Sequence, residues 1–144
     1  MLGLALTLLT APARAQAEGD DAALIGALMA FHGSEAIVEV MSTHCYETAG
    51  LDTAFKTAAE NWYLRNISYL ELADRVIERL GGGDPAELKA ARNYGGSQIM
   101  SAYNQAPDKN SFCRSFLGQV ESGAFDIDRQ LPEPLKRAQE ISAS

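Results

Sequence analysis

Cysteine, histidine and tryptophan are scarce in this chain of 144 residues: Cys45 and Cys113, His32 and His44, and Trp62 are the only ones. Each scarcity excludes a class of chemistry. Two histidines twelve positions apart point about 120° away from each other around an unbroken helix, so they cannot share a metal. Neither belongs to a His-Glu-x-x-His pair, and the cysteines are not spaced as Cys-x-x-Cys, which removes zinc hydrolase, thioredoxin-like and heme-attachment chemistry. No nucleophile elbow or phosphate-binding loop is present; Gly81-Gly82-Gly83 lacks the Lys-Ser/Thr that would follow in such a loop. The sequence therefore implies no cofactor, no metal and no recognisable catalytic set.

Positive charge is also in deficit. Twelve Lys and Arg stand against nineteen Asp and Glu, a formal net charge of −7, and Lys136-Arg137 is the one adjacent basic pair. Nucleic-acid binding draws on clustered cations to neutralise phosphates, so no nucleic-acid partner is expected.

What is present begins with an apolar leader. Met1 to Ala17 holds an apolar run, the helix-breaking Pro12, and two small-x-small sites ending at Ala15 and Ala17, the arrangement of a secretory signal peptide. The run is too short to span a bilayer, and no Lys or Arg precedes it. A buried N-terminal helix is the other reading. The expected organisation is a signal peptide over 1–17, a helical domain over 18–130, and a C-terminal tail or frayed helix over 131–144. After cleavage no second apolar stretch long enough to cross a membrane is expected, which places the mature chain in the periplasm or outside the cell, without stable membrane insertion.

Hydrophobic periodicity is helical throughout. The clearest helix runs from Asp52 to Leu80. Leu51, Phe55, Ala58, Trp62, Asn66, Tyr69, Ala73, Val76 and Leu80 form its stripe, and Ala59, Tyr63, Ile67, Leu70 and Ile77 widen it. Leu64 and Leu72 fall on its outer side, where exposed apolar residues would mark an interaction surface. Asp84-Pro85-Ala86-Glu87 caps a third helix through Gln105, with Leu88, Ala91, Gly95, Ile99 and Ala102 or Tyr103 inward. Gly95-Gly96 in mid-helix costs about 1 kcal/mol per glycine relative to alanine, so the pair signals a close helix approach or a bend. Ser111 to Glu121 makes a fourth helix ended by Gly123; Ala124 to Gln130 reads as irregular and Glu133 to Ile141 as a frayed terminal helix. The first helix, Asp21 to Tyr46, is interrupted by Gly26 and Gly33, and Ala36 to Met41 has local strand character, but a lone strand would find no partner.

The expected fold is all-α, a four-helix up-down-up-down bundle. In that topology Cys45, near the end of the first helix, and Cys113, near the start of the fourth, share a pole and can form an interhelical disulfide. Two separate buried thiols are the alternative. The bond would close a loop of about 69 residues, worth about 4 kcal/mol in loop-closure entropy.

Trp62-x-x-Arg65-Asn66 is the most unusual grouping, because Asn66 occupies an apolar-stripe position where an unpaired amide costs about 1–3 kcal/mol. One reading is a ligand-binding pocket for a carboxylate or sugar-like molecule, built from Trp62, Arg65, Asn66, Tyr69 and Glu60 with His44 or Tyr94 from neighbouring helices. The other is a buried polar network that sets helix register. Glu47, His44 and Glu60 form a further candidate acid/base cluster.

The leader, Cys45, Trp62-x-x-Arg65-Asn66 and Cys113 in an aromatic helix together resemble small exported two-cysteine all-helical proteins of proteobacteria that have no established activity. The resemblance covers Ser42 to Ile127. It implies the disulfide and a periplasmic location, and it supplies no catalytic residues. Two functions follow as expectations: a periplasmic non-enzymatic binding or protein-interaction module for an envelope protein or small ligand, or a small envelope hydrolase or lyase using Glu60, His44 and Arg65 around an interhelical pocket.

Overall fold

The computed structural model describes residues 13–144, with side chains from Gly19 onward; the leader through Pro12 lies outside the described residues. The described residues form six helices: α1 (Ala13–Thr48), α2 (Ala54–Arg79), α3 (Pro85–Gln105), α4 (Lys109–Glu121), α5 (Ile127–Gln130) and α6 (Pro132–Ala143). No strand occurs among the described residues.

Helix α1 runs unbroken past Gly26 and Gly33, and its strand-like stretch is helical. Leu28, Phe31, Val38, Met41 and Cys45 recur at helical spacing and are all buried, so core packing overrides the weak local propensity. Contrary to the expectation from sequence, the stretch Gly19–Thr48 is long and apolar enough to cross a membrane by length and mean hydropathy. Here its apolar side chains meet the protein core instead, and it carries His32 and Glu35 into an ion network.

Helix α2 starts two residues later than expected. Asp52 still caps it, accepting the Ala54 amide at 2.9 Å. Phe55, Ala58, Trp62, Asn66, Ala73 and Val76 are buried along the anticipated stripe, whereas Leu51 and Tyr63 are exposed. Leu72 is a correction: it is 8% exposed and belongs to the core, while Leu64 alone of the outer pair stands in solvent at 70%.

Asp84 caps α3 through the Ala86 amide, as its sequence implied. The glycines of α3 serve a close approach: a Cβ on Gly95 would lie 2.9 Å from the Gly33 carbonyl carbon and 3.0 Å from its Cα. Backbone thus meets backbone where α3 crosses α1, which only glycine allows. Between α3 and α4 the Lys109 ammonium donates to the carbonyls of Tyr103, Asn104 and Ala106 at 2.7–3.0 Å, closing the end of α3.

The C-terminal segment does not fray. It packs α6 against α2 with Leu135 and Ala138 buried, and the Arg79 guanidinium donates to the Ile141 carbonyl at 2.7 Å. Part of the segment read as irregular is the short helix α5. The two cysteines form a disulfide with a Cα–Cα distance of 5.4 Å across 68 positions of sequence, tying the end of α1 to the start of α4.

Candidate functional site

Trp62, Arg65 and Asn66 occupy one turn of α2, at i, i+3 and i+4, so their three side chains leave the helix on the same side. All three reach the turn after α4. The Trp62 indole N–H donates to the Phe125 carbonyl at 2.9 Å. Arg65 donates through Nε and Nη2 to the two carboxylate oxygens of Asp126 at 3.1 and 3.0 Å, and through Nη2 to the Val120 carbonyl at 2.9 Å. Asn66, fully buried, accepts the Ile127 amide at 2.9 Å and donates to the Trp62 carbonyl at 2.7 Å. Gly123, at φ +82°, makes the turn that brings Asp126 back to Arg65.

These side chains are therefore occupied internally, as the register-setting reading of the motif requires. The residues named as a pocket do not converge. Tyr69 is half-buried in the core, Tyr94 is exposed and its hydroxyl accepts from Gln98, and His44 packs edge-on against Tyr103 at 4.5 Å. Among the described residues no hydrogen bond or ion pair joins His44 to Glu47 or Glu60, and no group of three or more His, Cys, Asp or Glu is placed to hold a metal.

An open groove lies instead between the C-terminal half of α1 and the N-terminal half of α2. It encloses about 650 Å³. Val38, Ala59, Trp62, Tyr63 and Leu64 are among its apolar lining residues, and Glu35, Glu39 and Glu60 supply acidic groups. Glu60 and Trp62, both anticipated from sequence, thus line the groove, while Arg65 does not. The Lys56 ammonium lies over the Tyr46 ring, 3.9 Å from its centroid. Ser42 is also part of the lining, and its buried hydroxyl is the one buried side-chain polar atom without a hydrogen-bond partner among the described residues.

A charged chain runs from the groove into the interface of three helices. Arg92 of α3 pairs with Glu35 and, at 2.8 Å, with Glu39 of α1. His32 Nδ1 lies 3.9 Å from Glu35, and His32 Nε2 lies 2.6 Å from Asp74 of α2. Glu35 and Asp74 together hold the imidazole pKa above its ordinary value against the opposing effect of burial. The same contact with His32, with help from Arg92, holds the Glu35 carboxyl below its ordinary value. Sequence reasoning missed this network. His32, Glu35 and Glu39 do share a face of α1 at i, i+3 and i+7, but nothing in one sequence announces that Asp74 and Arg92 meet them.

Compared with models of known families, with curated proteins and with solved structures, the chain matches none.

Proposed function

We propose that this protein is a non-enzymatic binding module of the periplasm, exported by its apolar leader, whose α1–α2 groove receives apolar groups of an envelope protein or small ligand. The observation that carries the reading is the groove itself: an open apolar channel with Leu64 70% exposed at its lip. A single exposed leucine is ordinary on a protein surface, but here Leu64 continues a concave apolar lining shared with Ala59 and Tyr63. Supporting the location are the leader and a disulfide of the kind that persists in oxidising compartments. The up-down-up-down arrangement of the four longer helices is the framework we propose around this channel. The hydrolase or lyase alternative draws less support, because Arg65 bonds Asp126 and Val120 and does not line this groove.

The test is binding of Nile red, a neutral apolar fluorophore, to the disulfide-bonded chain. Emission should rise and shift to the blue, and Leu64→Asp should weaken binding by about tenfold, the loss expected for one apolar lip contact. Unchanged binding in a folded Leu64→Asp variant would refute the groove as the site.

A further inference from the structure

We infer that the groove's occupant is a cationic amphipathic helix of a partner protein, lying along α1 and α2 as an additional helix. The inference rests on the binding reading above and specifies its ligand. Length is the first argument. The α1 wall extends from Glu35 to Tyr46, twelve residues spanning roughly 16 Å at the helical rise, which matches three turns of a docked helix. Such a helix would place apolar anchors at i, i+3 or i+4, and i+7 into the channel over Val38, Ala59 and Trp62.

Charge is the second argument. Three carboxylates, Glu35, Glu39 and Glu60, border the channel against one ammonium, Lys56, and that ammonium is directed onto the Tyr46 ring. Arg92 engages Glu35 and Glu39 from the α3 side. Glu60 has no ion-pair partner among the described residues, and Glu39 keeps 64% of its side chain in solvent. The chain's net charge of −7 adds attraction of the same sign at longer range. An anionic occupant, such as a fatty acid or acidic peptide, would meet like charge at the rim.

The experiment uses the intact disulfide-bonded protein with Nile red bound, and two synthetic helical peptides of eighteen residues or so, long enough to exceed the channel. Both carry the same leucine face; one bears lysines on its flanks, the other glutamates. The lysine peptide should displace the dye at least about tenfold more tightly at low salt, with the advantage shrinking as salt screens it. Glu60→Lys should reduce that preference several-fold, measured relative to the variant's own dye affinity, while circular dichroism stays unchanged. Equal displacement by both peptides would overturn the cationic occupant and leave the apolar groove standing. Absence of dye and peptide binding would overturn both. Sedimentation of the protein alone supplies the last outcome: a dimer that Leu64→Asp dissociates would make a second copy the occupant and refute the inference.

Discussion

Replacing Gly95 by alanine should destabilise the protein even though alanine is the better helix former. The helix-propensity gain is about 1 kcal/mol. Against it stands the α1 backbone: the new methyl would meet the Gly33 carbonyl carbon at 2.9 Å and its Cα at 3.0 Å. Carbon atoms pack at about 3.5–4.0 Å, so α3 would have to withdraw by roughly 0.5–1 Å. Neither obstacle is the end of a flexible side chain, and withdrawal also stretches Arg92 from Glu35 and Glu39. Overpacking of this kind costs about 3 kcal/mol, the upper end of its usual range. The net loss is about 2 kcal/mol, or roughly 8 °C in Tm for a domain of this size.

Two neighbouring substitutions provide the contrast. Alanine at Gly118, inside α4 with nothing within 4 Å, should raise Tm by roughly 4 °C, since only propensity acts. Alanine at Gly96 would meet Val40 at an ordinary 3.5 Å and should be neutral or mildly stabilising. Thermal unfolding followed by circular dichroism at constant pH, with the disulfide intact, reads all three. A Gly95→Ala protein as stable as wild type would refute the close crossing.

Further outcomes are expected elsewhere. Asn66→Leu leaves the Ile127 amide without its acceptor and should cost about 2 kcal/mol in denaturant unfolding, with Nile red affinity unchanged; lost binding at full stability would return the motif to a ligand site. Cys113→Ser should cost about 4 kcal/mol from the loop released, so an unchanged melting transition would contradict the bond. The His32 network contributes stability in a defined pH window, set by Glu35, Glu39, Asp74 and Arg92 around the imidazole. The His32 pKa is raised in the fold, so its contribution is full below the unfolded value of 6.5 and fades as pH climbs through the folded value. The Glu35 pKa is depressed from 4.5, so its contribution is present above that value and fades as pH falls through the folded one. Tm should therefore decline in wild type as pH rises above 6.5 through the folded His32 value, and His32→Gln should remove that decline; an identical slope in both proteins would discount the network.

The α2 stripe was legible because 3.6-residue periodicity needs no tertiary information, and the caps at Asp52 and Asp84 are local chemistry. Cys45 and Cys113 were expected to pair because an up-down order of helices would put their ends at one pole, and the bond is present. Asn66 was recognisable as bonded, since an amide in an apolar stripe demands a partner, but its partner lay in a turn sixty residues away. Periodicity put Leu72 outside because a single helical wheel cannot show how many neighbours pack on α2, which touches α1, α4 and α6. The α1–α2 groove was invisible for a related reason: a channel is what neighbouring helices leave uncovered, and each of its residues belongs to an ordinary amphipathic face. Glu60, Trp62 and Leu64 were its traces in sequence.

The indole, guanidinium and amide of α2 hold the far end of α4, while Cys113 stands near its beginning. A latch that forms ahead of the bond would hold α4 on the body of the protein and so raise the effective concentration of the two thiols across 68 positions of chain. Weakening the latch should slow the closing of the bond, even in a protein that ultimately reaches the same cross-linked state.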